Sequence, residues 1–253
     1  MSALTSTDLL AAAVGGLVGV AGGLVGPAVI ARLPEPELDP EPPEGEEKPT
    51  SRLRIAPVHT KVLYADLARR PGLAWRLALA GLVVGAALGA VLGWSADLLV
   101  VIPVVPVGMW LSYVDWRTTF LPTRIIAPTY AVVVAAIALA ALLQGDRTDA
   151  VRAAEGWAIY GGLFLVLWII TPGFGYGDVR LSGILGLVLG WLGWSQLFVG
   201  IFAAMFLGGF GGALLTLLRI VERGRNPFGP HMLAGAALAV AFGPWLATHL
   251  GYY

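Results

Sequence analysis

Cysteine is absent from the 253-residue chain, which excludes disulfides and thiolate metal sites. Charge is scarce as well: 13% of residues are charged and 57% are hydrophobic, against about a quarter and nearly a half in soluble chains. No stretch alternates apolar and polar residues over about 10 positions, as the strands of a membrane barrel would. There is no internal repeat, no coiled-coil heptad and no phosphate-cradling loop, because "GFGYGD" (173–178) lacks the preceding strand that such a loop needs. His59, His231 and His249 are too scattered to form a metal set, and each is expected to be interfacial or hydrogen-bonded. No metal, cofactor or nucleic acid is expected.

What the chain has in abundance is apolar runs long enough for helices crossing a ~30 Å hydrocarbon core. Eight are readable, at 8–31, 74–94, 97–115, 124–144, 154–171, 180–193, 195–218 and 231–250. The expected fold is an all-α, polytopic membrane helix bundle of about eight transmembrane helices without a sizeable soluble domain. The sixth run is short, and is expected to be tilted, half-inserted or fused to the seventh across "GWLGW". Gly15, Gly19 and Gly23, with Gly22 and Gly26, recur every four residues, the spacing that lets helix backbones approach closely in lipid. The first run is therefore expected to be a retained, packed helix; no positive charge precedes it, as one would in a cleavable signal.

The zero net charge hides an asymmetry. With residues 32–73 inside, eight crossings put all of the sixteen Lys and Arg on that side except Arg147 and Arg152. The positive-inside rule then places both termini outside and the loops near 116–123, 172–179 and 219–230 inside. Trp94, Trp191 and Trp194 are expected to mark the outer interface.

Residues 1–33 read as the first transmembrane helix, 34–73 as an inner loop and 74–253 as the remaining membrane domain. The loop opens with "PEPELDPEPPEGEEKP" (34–49), whose six prolines and seven acids can neither hold a helix nor bury a core. Its second half is basic and weakly amphipathic, suited to an anionic inner leaflet.

Most of the acids have ordinary roles. Asp8 and Asp97 follow Ser6, Thr7 and Ser95 at helix starts, where negative charge meets the positive end of the dipole. Asp115 and Asp178 are different: each ends a membrane segment on the inner side, and an acid deep in lipid costs about 2.5–3.5 kcal/mol on insertion scales. Singly, Asp178 could cap a helix beginning at Val179, and Asp115 could pair with Arg117 or Arg124. Yet Asp115 falls at a helix C-terminus, where the dipole prefers a cation, and both acids fall at one depth. Gly173, Gly175 and Gly177 allow positive φ and leave room for an extended peptide beside Asp178. Two carboxylates sharing a site cannot both ionise cheaply. One could take a proton from water as it attacks a peptide carbonyl while the other donates to the carbonyl oxygen.

These residues resemble the type IV prepilin peptidases, intramembrane aspartic proteases with a Gly-x-Gly-Asp motif. "GLVGPAVIARLP" (23–34) is similar to that family's first-helix ending, "DWRTTFLP" (115–122) to its first aspartate motif, and "GFGYGDVRL" (173–181) to its second, with Arg180 where lysine is usual. "NPFGPHMLAG" (226–235) is similar to its entry into the last helix. The resemblance implies cleavage of a basic leader from prepilins or pseudopilins at the cytoplasmic face of a prokaryotic cell membrane. It makes Asp115 and Asp178 the catalytic pair, Gly175 and Gly177 the residues that shape the loop, and Pro122 the end of the connection after Asp115. Many members carry two zinc-binding Cys-x-x-Cys pairs in the first inner loop and also N-methylate the product. A chain without cysteine is expected to be a peptidase only. A transporter would need midplane acids between repeated halves, which are not seen; presenilin-like proteases share Gly-x-Gly-Asp but use Pro-Ala-Leu where this chain has "NPFGP".

Overall fold

The computed structural model describes residues 5–35, 63–171, 174–218 and 227–250, and every regular element among them is helical. In chain order these are α1 (Ser6–Ala31), α2 (Tyr64–Ala68), α3 (Leu73–Leu92), α4 (Ala96–Val101), α5 (Val104–Thr118), α6 (Thr123–Gln144), α7 (Thr148–Ile170), α8 (Tyr176–Leu192), α9 (Trp194–Phe206), a π-helical turn (Leu207–Gly211), α10 (Gly212–Leu217) and α11 (Phe228–Leu250). Each of the eight apolar runs folds as helix, and six helices among the described residues are long and apolar enough to cross a membrane. The chain is an all-α, polytopic membrane helix bundle.

Glycine sets the pairing of the helices. α1 and α3 run antiparallel with their backbones touching: a Cβ on Gly19 would lie 2.0 Å from the Gly81 carbonyl oxygen, and one on Gly15 2.2 Å from that of Gly85. The four-residue spacing in α1 is thus a flat seam against a matching seam in α3. α7 and α8 repeat the device, with Gly156 against Gly186 and Gly190, and α9 and α11 form a third antiparallel pair through Gly235 and Gly200.

α8 lies at the centre, burying every residue from Leu181 to Trp191. At 17 residues it is about 25 Å long, and it is not fused to the seventh run: Gly193, at φ 148°, separates it from α9. Arg152 of α7 closes its C-terminal end, donating to the carbonyl oxygens of Gly190 (2.7 Å) and Trp191 while pairing with Asp149 at 2.7 Å. A cation on free C-terminal carbonyls complements the dipole.

Several expectations are corrected. Trp191 is 1% exposed and donates its indole N–H to Asp97 Oδ1 at 2.9 Å; Trp94 and Trp194 are exposed, but Trp191 belongs to the core. Asp97 does stand in the first turn of α4, as expected, and also ties that turn to α8, while Ser95 makes no side-chain cap. The third apolar run breaks at Ile102–Pro103 into α4 and α5, Pro103 having no N–H to continue the ladder. The first helix starts at Ser6, capped reciprocally by Thr5 and Asp8. Residues 36–62, and with them most of the acidic linker and basic strip, lie outside the described residues. In the part that follows, Tyr64 and Leu67 of α2 are buried in the protein, while Leu63 is exposed. Glu35 accepts hydrogen bonds from the N–H groups of Tyr64 (2.9 Å) and Ala65 (3.1 Å), joining the end of α1 to the start of α2.

Candidate active site

Asp115 occupies the last turn of α5, 3% exposed, and Asp178 the first turn of α8, 7% exposed. The two helix ends lie at the same end of the bundle. Leu121, in the short connection between α5 and α6, packs between them. A Cβ on Gly177 would lie 2.7 Å from Leu121 Cβ, and one on Gly229 would lie 3.2 Å from Leu121 Cδ2 and 2.8 Å from Asp115 Oδ2. Pro122, buried, then starts α6 as its N-cap residue. Thr119, beside Asp115, holds φ 53°, the one positive value at a non-glycine among the described residues, and its N–H returns to the Asp115 carbonyl oxygen at 2.7 Å. Such outliers persist where the surroundings over-determine them.

Both carboxylates are oriented in the same way. Asp178 Oδ2 accepts from the Gly175 N–H at 2.9 Å, and Asp115 Oδ2 accepts from the Gly229 N–H at 2.8 Å. In each case Oδ1 makes no hydrogen bond to the described residues, so each acid has one oxygen fixed by backbone and one left for another partner. Neither pairs with a cation: among the described residues the one ion pair joins Arg152 to Asp149, and Arg117 lies over the Tyr113 ring. The alternative of Asp115 as a surface partner of Arg117 or Arg124 is therefore not observed.

The two donor glycines are themselves coupled. Phe174 precedes Gly175 and Phe228 precedes Gly229; their ring centroids are 5.0 Å apart, and both lie 5.7 Å from Phe164 of α7. Such spacings favour aromatic pairs. The Phe228 ring fits against Gly208 in the π-helical turn, where a Cβ would lie 2.1 Å from it. Single π turns are frequent at functional sites, and this one makes room for the ring that steadies Gly229.

The glycines act differently from expectation. Asp178 is the third residue of α8 rather than the cap of a helix starting at Val179. Gly175 has φ −81° and Gly177 is helical, neither in the left-handed region, and Gly173 lies outside the described residues. Gly175 matters as a donor to Asp178, and Gly177 for the space it leaves to Leu121. Gly229 was not singled out by sequence reasoning; "NPFGP" was visible, but nothing in it showed that its N–H reaches an acid 114 positions away.

Beside the acids a groove of about 510 Å³ runs between α3, α5 and α11 with α8 as its floor. Its lining is almost wholly apolar, from Leu88, Val101 and Val240 at one end to Trp116, Arg117 and Pro230 at the other. Trp116 follows Asp115 in the chain, and Pro230 follows Gly229. That end of the groove lies by the stretches of α5 and α11 that carry the Asp115–Gly229 hydrogen bond, although neither carboxylate lines it. Among the described residues no cluster of three metal-ligating side chains occurs.

Comparison with known proteins bears on this arrangement. Residues 102–213 match the Type IV leader peptidase family. The matched region contains Asp115, Leu121, Pro122, Gly175, Gly177 and Asp178. Among curated proteins, a prepilin leader peptidase/N-methyltransferase of Burkholderia pseudomallei is 34% identical over 146 residues, covering 53% of this chain and 43% of the relative. One from Aeromonas hydrophila is 33% identical over 100 residues, 35% of this chain and 33% of the relative. The chain thus spans less than half the length of these relatives. No solved structure matches it.

Proposed function

We propose that the protein is an aspartic peptidase that removes a basic leader from prepilins or pseudopilins at the cytoplasmic face of a prokaryotic cell membrane. The observation that carries this reading is the pair of buried acids at one end of the bundle, each with one oxygen held by a glycine N–H and the other without a hydrogen bond among the described residues. Such a pair suits a single shared proton. The ionised member takes a proton from water as that water attacks the scissile carbonyl carbon; the protonated member donates to the carbonyl oxygen. On collapse the C–N bond breaks: the acid that took the water's proton gives it to the leaving amine nitrogen, the other regains its proton from the hydroxyl, and the leader departs with a new carboxyl end. Asp178, at a helix N-terminus, suits the ionised role and Asp115 the neutral one.

Gly175 aims Asp178, Gly177 lets Leu121 seat against α8, and Pro122 turns the chain into α6. The prepilin's apolar helix would lie in the groove between α3, α5 and α11, bringing its leader junction to the acids. The arginine-rich sequence of the loops flanking the acids supports an inner position for that end, with both termini outside, by the positive-inside rule. With no cysteine in the chain, the reading is of a peptidase without the zinc site and without methyl transfer. A transporter is not favoured, since its site would lie at the midplane and these acids lie at a bundle end.

The test is incubation of the reconstituted protein with prepilins, followed by N-terminal sequencing. Wild type should expose the residue after the leader, and Asp115→Asn and Asp178→Asn should each abolish cleavage. Substantial cleavage by either variant would refute the pair.

A further inference from the structure

Arg180 lies two positions after Asp178 on α8. Its guanidinium is aimed at neither acid: it donates to Thr123 Oγ1 and lies over the Tyr176 ring, 4.5 Å from the centroid. Its carbonyl oxygen accepts from the Tyr130 hydroxyl at 2.8 Å. Thr123 is the first residue of α6, directly after Pro122, and Tyr130 lies seven positions further along that helix. Tyr176 opens α8 and rests against Trp168 near the end of α7, with ring centroids 5.2 Å apart.

These contacts belong to a row. Three positions before Arg180, Gly177 leaves the gap that Leu121 fills, since a Cβ there would lie 2.7 Å from Leu121 Cβ. The starts of α6 and α8 are therefore joined at two points, Leu121 against Gly177 and Thr123 against Arg180. Asp178 falls between those points in the chain. Asp115 connects to the same row through residues 116–120, which are held internally. The Thr118 hydroxyl donates to the Val114 carbonyl oxygen at 2.8 Å and accepts from the Phe120 N–H at 3.3 Å, and the Thr119 N–H donates to the Asp115 carbonyl oxygen at 2.7 Å.

Resting on the peptidase reading, we propose that Arg180 is a positioning residue: by latching α8 to Thr123 it fixes the turn that carries Asp178 against the connection that carries Asp115. The planar guanidinium suits the task because it can lay its face on a ring while an edge N–H reaches the hydroxyl, which a lysine ammonium cannot do. The Arg180–Thr123 contact is exposed, and an exposed contact of a charged side chain adds little to global stability. Its loss therefore acts on the alignment of the acids and so on turnover.

The experiment compares wild type, Arg180→Lys, Thr123→Val, Thr123→Ser and the Arg180→Lys/Thr123→Val double variant in proteoliposomes, using a prepilin with a basic leader before its apolar helix. It measures kcat, KM and thermal unfolding. Lysine keeps the charge and loses the flat fork, valine keeps the shape of threonine and loses the hydroxyl, and serine keeps the hydroxyl. Because small displacements at a reacting centre cost up to about 10²-fold, Arg180→Lys and Thr123→Val should each lower kcat about fivefold to twentyfold with KM and Tm unchanged. The double variant should be no slower than the slower single one, as for two ends of one contact, and Thr123→Ser should keep the wild-type kcat. Wild-type kcat in Arg180→Lys or in Thr123→Val, losses that multiply in the double variant, a Thr123→Ser rate as low as that of Thr123→Val, or a fall in Tm alongside kcat would each overturn the inference, while the peptidase reading stood on wild-type cleavage. A wild-type protein that cleaves no prepilin would overturn the peptidase reading and this inference with it.

Discussion

Gly229→Ala isolates the orientation of Asp115 from its presence. The added Cβ would lie 2.8 Å from Asp115 Oδ2 and 3.2 Å from Leu121 Cδ2. The carboxylate must turn away from the oxygen position set by the Gly229 N–H, although both charges and every other side chain remain. A hydrogen bond to a charged group contributes about 1.5–3 kcal/mol, and a displacement near 1 Å at a reacting centre can cost about 10²-fold. We expect kcat to fall roughly a hundredfold with little change in KM or unfolding temperature, measured by prepilin cleavage and a melting curve on the same preparation. Gly162→Ala is the control: a Cβ there has nothing within 4 Å, and alanine is favoured over glycine in a helix by about 1 kcal/mol. If Gly229→Ala cleaved within threefold of wild type, the claim that the backbone aims Asp115 would fail.

Phe228→Leu should weaken the ring contact with Phe174 and Phe164 and lower kcat, whereas Leu→Phe restoration at the same codon should return it; an unchanged rate would remove the rings from the site's support. Gly19→Val should force apart α1 and α3, whose backbones touch, costing about 1–3 kcal/mol as overpacking does, read as a lower melting temperature in lipid. Trp191→Phe leaves Asp97 without its indole donor and should cost about 1–3 kcal/mol with cleavage largely retained at 25 °C. Ala237→Trp fills the groove beside α8 and should raise KM for full prepilin more than it lowers kcat, a split that equal effects on both constants would contradict.

Helix existence was legible because apolar run length is a local property, and all eight runs are helical. The glycine seam of α1 was legible for a similar reason: a four-residue spacing marks one face, whichever partner covers it. The errors arose where the deciding contact is distant in sequence. Trp191 resembles an interfacial tryptophan until Asp97, 94 positions earlier, is seen to accept its N–H. Asp178 was recognised as a helix-start acid, but two residues of "GFGYGD" expected in the loop are helical, which moved it to the third position. Gly175 and Gly177 were assigned importance through backbone freedom, and the structure uses them as a donor and as a gap. Asp115 and Asp178 could be placed at one level by counting crossings; the means of aiming Asp115, Gly229 through Phe228 and the π turn, came from the far end of the chain and left no local trace.

The enclosure of α8 has a consequence for biogenesis. A segment with Ser182 at its middle and no side offered to lipid gains little from standing alone in a bilayer. Ribosomes release α9 and α11, which complete its wrapping, only afterwards. During that interval α7 is the most closely packed of the neighbours already made, docked through Gly156, Gly186 and Gly190 and gripping the far end with Arg152, with α4 and α6 also touching α8. The hairpin of α7 and α8 is therefore the unit that must insert together, and the aspartate it carries arrives in position before the groove that serves it is closed.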